Sequence, residues 1–478
     1  MRRKSVLLLL IMVLTAANPA CPAQAQNAAI ASDFQYALDG GGKATIVNYT
    51  GSETGTLIIP EQLDGHPVTA IGQAAFLGNS FSTIVIPAGL TSITPGVFGN
   101  CKNLVSIDVE AGNAVYEQAD GVLYDKMQKA LHTYPIARDA SEYQILQGTT
   151  IIGNGAFFHC DRLMSVVLPD SVASIGESAF YGCESLQSIS IPSGVTAIGN
   201  GAFSLCASLR DIIIPGSVKS IGASAFDGCL SLDSLTVAED NPVFEVTGGV
   251  LFDKTQKLLH TYPQSLPSES YQVPEGTLHI GSLAFASCPN LISVTIPDSV
   301  SDIGESAFYG CAKLESVSLP RGITRLEASV FAACLELKSI TIPDGVRSIG
   351  SQAFYNCAEL KQVNIPYGVT AIEPYAFAWC GNLREITIPG SILVIGDHAF
   401  MACDFMSSLI ISSGVQEIGT YTFGECYALM SVSLPASVVS IGENAFYDCY
   451  KMTALVAENS YAHEYCYKNK LSFAFSAP

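Results

Sequence analysis

Charge is scarce in this 478-residue chain, and positive charge most of all: 14% of residues are charged, with 23 Lys and Arg against 43 Asp and Glu. A formal charge of −20 and a pI near 4.6 set the chain against phosphate backbones and anionic membrane surfaces, so nucleic acid is excluded as a partner. Long apolar runs are also missing beyond the N-terminus, because Gly, Ser, Pro or a charged residue interrupts each one. This argues against membrane insertion of the mature chain even at a mean hydropathy of +0.34. Closely spaced cysteines are missing too: no two of the 15 Cys stand two to four residues apart, which removes the spacing of structural zinc sites. No Gly-x-Ser-x-Gly elbow, His-Glu-x-x-His pair, Walker loop or calcium nonapeptide occurs. The run Gly40-Gly41-Gly42-Lys43 lacks the earlier Gly a phosphate loop needs and reads as a turn. No catalytic residue, metal or cofactor is therefore assigned, and the chain is not read as an enzyme.

What is present begins with an export signal. Arg2, Arg3 and Lys4 precede the apolar run Val6 to Leu14, and Ala23-Gln24-Ala25 supplies small residues at the positions a signal peptidase reads. Cleavage is expected after Ala25, which would take the formal charge to −23. Lipid anchoring at Cys21 is the rival reading, disfavoured by Asn18 and Pro19, where a lipoprotein signal wants an apolar residue.

At this length about three average domains would fit, but a repeat governs almost the whole chain. SIGESAFYGCESLQSISIP begins at Ser174, and near-copies recur every 23 residues. The Phe of the repeat stands in register fourteen times, from Phe76 and Phe98 to Phe423 and Phe446. A Cys follows three residues later in thirteen copies, with Asn79 in its place in the first. Within a rung, Leu186, Ile189 and Ile191 point inward and Ser188 and Ser190 outward, as one short strand. Pro192 ends that strand, and ESAF forms a tight corner, read as a short helix or 3₁₀ turn. Stacking such rungs gives a leucine-rich-repeat solenoid: a parallel β-ladder of about sixteen rungs spaced about 4.8 Å apart, curved into a rod with capped ends.

Two blocks interrupt the period. GVLYDKMQKALHTYP from Gly121 and GVLFDKTQKLLHTYP from Gly249 lie 128 residues apart, so a multi-rung unit has been duplicated whole. Each block reads as a hairpin, Val122 to Asp125 against Leu131 to Tyr134 in the first, decorating the rod. The organisation expected is a signal peptide over 1–25, an N-terminal cap over 26–66, a solenoid over 67–459 with hairpin inserts near 110–146 and 238–274, and a C-terminal cap over 460–478.

The unit Ile-Gly-x-x-Ala-Phe-x-x-Cys-x-x-Leu-x-Ser-Val-x-Ile-Pro resembles the BspA-like class of leucine-rich repeat, over nearly the whole mature chain. The entry segment LDGHPVTAIGQAAF, the GVLYDK hairpins and the SYAHEYC tail resemble segments of that family as well. The resemblance implies an exported bacterial protein, secreted or at the cell surface, acting in adhesion to host matrix proteins, other bacteria or host cells. It supplies no set of catalytic residues.

Several residues invite a chemical reading. The thirteen registered Cys are taken as a buried row of free thiols, since neighbouring β-carbons about 4.8 Å apart exceed disulfide range. Cys466, outside the row, is expected to be the reactive thiol. His132 and His260, equivalent in the two hairpins, are read as partly exposed strand residues. Glu177, Glu305 and Glu443 are read as capping or solvated. The outward strand positions form a carpet of Ser and Thr able to hydrogen-bond an extended glycan or polypeptide. On it, Lys338, Lys361 and Arg384 occupy one position in three successive rungs, with Glu336, Glu359 and Glu385 nearby as possible ion-pair partners. The candidate binding residues are these three cations with Ser339, Thr341, Gln362, Asn364, Glu385 and Thr387. Tyr181, Tyr309, Tyr355, Tyr447 and Trp379 follow the repeat Phe, where packing of the corner is expected. The partner expected is an extracellular protein or glycan, with self-association left open. A structural spacer without a specific ligand is the alternative, and an enzyme using the hairpins as a cleft is the third reading.

Overall fold

The repeat folds as a parallel β-solenoid of about 19 turns, described by a computed structural model over residues 33–476. The segment expected to be an export signal, residues 1–25, and Cys21 within it lie outside the described residues.

Each rung contributes two short strands rather than the expected one. In the outer ladder, Ser165–Val167 pairs in parallel with Ser188–Ile189, and Ser188 in turn faces Asp211 of Asp211–Ile214. In the second ladder Ser174–Ile175, Ala197–Ile198 and Ser220–Ile221 stack in the same way. The second strand is extended because its amides bond to the previous rung: Thr196 N–H donates to Ala173 O at 2.8 Å and Gly199 N–H to Ile175 O at 2.9 Å.

The corners are turns, not the short helices or 3₁₀ segments expected. Around Phe180, Ser178 lies at φ 52° and Gly182 at φ 71°, and left-handed residues on both sides of the ring break a helical run. The corner amides alternate in their targets. Tyr181 N–H donates back to Ser178 O at 3.1 Å, whereas Phe180 N–H donates to Ala202 O of the next rung at 2.7 Å. The corner is thus a third line of hydrogen bonds between rungs, which satisfies backbone groups that burial would otherwise leave unpaired.

Inside the coil the repeat Phe side chains stack, with ring centroids 4.8 Å apart for Phe157 and Phe180 and 5.9 Å for Phe203 and Phe226. The stack is interrupted at the inserts, where Tyr134 and Tyr262 take the Phe place in the next rung and pack on Phe157 and Phe285.

The inserts are walls rather than decorations. Each contains three strands, one more than the hairpin expected: Tyr116–Ala119, Val122–Asp125 and Ala130–Thr133 in the first, with Phe244–Thr247, Val250–Asp253 and Leu258–Thr261 in the second. The last strand of each joins the second ladder, Ala130–Thr133 beside Ile151–Ile152. All four residues of Val122–Asp125 are buried, because this strand is covered on both faces. Leu123 packs into the core before it, and Val122 and Tyr124 into the core after it. Leu251 and the pair Val250 and Phe252 divide in the same way. The hydrophobic core is therefore cut into three compartments, over residues 34–123, 122–251 and 250–466.

Phe34–Leu38 and Ala44–Tyr49 form an antiparallel pair, its turn held by Asp39, whose carboxylate accepts from Gly41 and Lys43 N–H at 2.9 Å. At the other end Ser460 caps the helix Tyr461–Lys468, accepting from His463 N–H at 3.2 Å. Ser472–Phe475 then adds a final strand to the outer ladder.

Candidate interaction surface

The outer ladder keeps the expected columns. Ser270, Ser293 and Ser316 align, as do Ser339 with Gln362 and Glu385 with Ser408 and Ser431. The second column is less uniformly polar than a hydroxyl carpet, since Val167, Ile213 and Ile410 also face solvent in it. Apart from its breaks at the two inserts, the ladder pairing lapses between Ser316–Ser318 and Ser339–Thr341, and between Gln362–Asn364 and Glu385–Ile388. A shallow hollow lies over each lapse. The first, of about 480 Å³, is bordered by Ser293, Ser318, Arg321 and Thr341. The second, of about 460 Å³, brings together Ser339, Thr341, Gln362, Asn364, Glu385 and Thr387, with Ser408 beyond them.

The three cations occupy the position just before these strands and are all exposed. They are not electrostatically equivalent. Lys338 Nζ lies 2.6 Å from Glu315 Oε2, a carboxylate of the preceding rung rather than the Glu336 expected. Among the described residues, neither Lys361 nor Arg384 has a carboxylate within 4.0 Å. Glu359 instead accepts from Asn382 Nδ2 at 3.2 Å. The backbone links the first two rungs, Lys361 N–H donating to Lys338 O at 3.1 Å. The free positive charge of this face therefore sits at Lys361 and Arg384, each one residue before a residue that lines the second hollow, Gln362 and Glu385.

The cysteines form the buried row expected, all as free thiols. Their role is more specific than filling space. Each of the thirteen donates its S–H to the carbonyl of the ring residue one rung earlier, as Cys183 does to Phe157 O at 3.1 Å and Cys334 to Phe308 O at 3.2 Å. Asn79 serves the same slot, its Nδ2 reaching Tyr49 O at 3.5 Å. Burial pushes most of these thiols well above the usual range, so they are poor nucleophiles. Cys466 is corrected by the structure: it is fully buried under the C-terminal helix, and burial raises it to about 11, so it is no reactive thiol.

His132 and His260 are the partly exposed strand residues expected, and each also bridges its wall to the rung before it, Nε2 donating to Ile93 O at 3.1 Å and to Ile221 O at 2.9 Å. A carbonyl can only accept, so Nε2 carries the proton and Nδ1 accepts from the Thr133 or Thr261 hydroxyl at 2.8 Å. Burial holds both imidazoles below 6.5. Asn113 and Asn241 escaped sequence reading: each donates to two carbonyls of the preceding rung and accepts two amides at the entry to its wall. Their identical place in blocks 128 residues apart was the available signal. Of the two roles expected for Glu177, Glu305 and Glu443 the solvated one fits: among the described residues their side chains accept no capping hydrogen bond, while their backbone carbonyls accept from the preceding rung. Tyr181 packs on Phe158, with ring centroids 5.1 Å apart, while Tyr447 and Trp379 are 46% and 47% exposed. Among the described residues no three His, Cys, Asp or Glu side chains gather as a metal site, and no helix is long and apolar enough to cross a membrane.

The BspA-type leucine-rich-repeat region model, in six copies, matches residues 56–119, 137–257, 278–407 and 394–474. The chain belongs to that family. A leucine-rich cell surface protein of Faecalibacterium prausnitzii is 30% identical, over 80% of this chain and 93% of its own, with a TM-score of 0.49. A leucine-rich-repeat protein of Bacteroides ovatus is 24% identical over 94% and 99% of the two chains, with a TM-score of 0.48. The pneumococcal vaccine antigen PcpA is 20% identical over 93% and 97%, with a TM-score of 0.44. No curated protein matches. The BspA-type assignment accounts for the repeat and the solenoid and leaves the ligand to the chemistry of the surface.

Proposed function

We propose that this BspA-type protein is an exported bacterial adhesin or interaction scaffold, secreted or held at the cell surface, that binds an extracellular protein or glycan through its outer ladder. The observation that carries this reading is the hollow bordered by Ser339, Thr341, Gln362, Asn364, Glu385 and Thr387, with the unneutralised cations Lys361 and Arg384 immediately before Gln362 and Glu385 in the chain. Short hydroxyl and amide side chains lose little rotamer entropy on binding and present donors and acceptors to an extended partner. Two free cations in a chain of net charge −20 favour a partner carrying carboxylate or sulfate groups. The cell-surface description of the Faecalibacterium relative and the N-terminal Arg2 to Ala25 segment support export.

The test is a binding screen of residues 26–478 against matrix proteins and glycans, run beside the Lys361→Glu, Arg384→Glu variant. Saturable binding that drops at least about tenfold in the folded variant is the expected result, matching the loss of about 1.4 kcal/mol or more from reversing two contact charges. Binding that survives unchanged would move the site elsewhere on the solenoid. Absence of any saturable binding would favour a structural spacer.

A further inference from the structure

The C-terminal rungs carry a second surface that the repeat does not require. The residue before the row Cys adopts left-handed backbone in rung after rung, and Gly182, Gly228 and Gly310 meet that demand at φ 71°, 73° and 71°. At the C-terminal end Glu425 and Asp448 are placed there instead, at φ 62° and 61°. The residue after the Cys is uncharged and not aromatic in the middle rungs, from Ala207 and Leu230 through Pro289, Ala312 and Leu335 to Ala358 and Gly381, and becomes Asp404, Tyr427 and Tyr450 in the last three. Hydrogen bonds from Glu425 N–H to Tyr447 O at 2.7 Å and from Ala428 N–H to Asp404 O at 3.2 Å hold these positions on consecutive rungs.

Large rings stand open to solvent here. Tyr450 is 80% exposed, Phe405 63% and Tyr427 43%. The tyrosines are also oriented, since Tyr427 donates its hydroxyl to Glu425 at 3.5 Å and Tyr450 donates to Asp448. That bond pushes the Tyr450 hydroxyl up to about 12, so it remains a neutral phenol at physiological pH. Among the described residues no Lys or Arg approaches Asp404, Glu425 or Asp448 within 4.0 Å; Lys451, exposed on the last of these rungs, pairs with none of them.

We infer that this corner docks a basic, extended segment of a partner protein, its Lys or Arg side chains meeting the ring faces of Tyr427 and Tyr450 and the carboxylates of Asp404, Glu425 and Asp448. A cation is attracted both to an aromatic face and to carboxylates that no internal partner neutralises. An anionic glycan would be repelled by the three acids, and an apolar helix would desolvate them without return. The surface lies on the corner of the rungs and does not depend on the outer-ladder reading.

The experiment titrates residues 26–478 with a (Arg-Gly)₅ peptide by calorimetry, with (Glu-Gly)₅ and a cello-oligosaccharide as parallel probes. Three variants are compared: Tyr427→Ser with Tyr450→Ser, Glu425→Gln with Asp448→Asn, and, far from the corner, Glu239→Gln with Asp240→Asn. All six side chains lie at the surface, and circular dichroism confirms that each variant is folded. Saturable binding of the arginine peptide, weakened about tenfold in each corner variant and unchanged in the remote one, is expected. The inference is overturned if the remote variant loses as much, which would reveal only general acidity, or if the tyrosine variant binds like the parent. It is equally overturned if the arginine peptide does not saturate, or if the corner takes the oligosaccharide instead.

Discussion

Phe331 and Ser339 stand eight residues apart in one rung and show how sharply position sets energetic weight. Phe331 is wholly enclosed, stacked between Phe308 and Phe354 at 5.3 and 5.5 Å, so Phe331→Ala should cost about 3–5 kcal/mol. Ser339 faces solvent, and Ser339→Ala should cost under about 0.5 kcal/mol. Equal losses in denaturant melts would refute the inward and outward assignment. Asp227 is the costly residue. Burial pushes its carboxyl from 3.8 up to about 6, although Gly228 N–H and the Gln264 amide, 2.7 Å away, partly hold it down. A carboxyl raised on folding favours the folded state fully below its unfolded value, and that contribution disappears as pH climbs through about 6. Asp227→Asn should therefore stabilise the protein by about 2 kcal/mol at pH 7 and by little near pH 4. Melts at the two pH values check this, and an equal gain at both would show that ionisation is not the cause.

At the scale of the element, the walls matter most. His260 ties the strand Leu258–Thr261 to the carbonyl of Ile221 across the wall, and His260→Ala should cost about 1–3 kcal/mol by leaving that carbonyl unpaired. The pH dependence has the opposite sign to that of Asp227. His132 and His260 are held below 6.5, so the unfolded chain binds protons first, and their contribution is present above about pH 6.5 and lost as pH falls. Acidification from pH 7 to 5 should thus open the amides around the walls faster in hydrogen exchange, and less so once both His are replaced by Gln. An unchanged pH response in that double variant would assign the acid sensitivity elsewhere.

At the scale of the molecule, three core compartments separated by walls predict stepwise rather than all-or-none unfolding, because each rung is supported mainly by its neighbours. Phe331→Ala should lower exchange protection across residues 250–466 and leave residues 34–123 as protected as in the parent. Loss spread evenly over the chain would mean that the walls transmit rather than interrupt cooperativity. The same construction suits a long binding surface, since damage in one compartment leaves the rungs of the others in register.

The 23-residue period by itself determined the solenoid, the inward Phe and Cys rows and the outward Ser and Thr columns, because a copied rung can stack only with equivalent residues in line. It also located the candidate site residues Ser339 to Thr387 on one face. What it could not determine was whatever depends on a neighbour far along the chain. Val122–Asp125 lost the alternation of a surface hairpin because core covers both its faces, a fact decided by the rungs on either side. His132 and His260 became wall bridges, Cys466 became buried, and Lys338 found Glu315 rather than Glu336, each through an approach across rungs. The period fixes which positions face in or out, while the partner of each polar group is set by distances of a few ångströms that only the stacked coil defines.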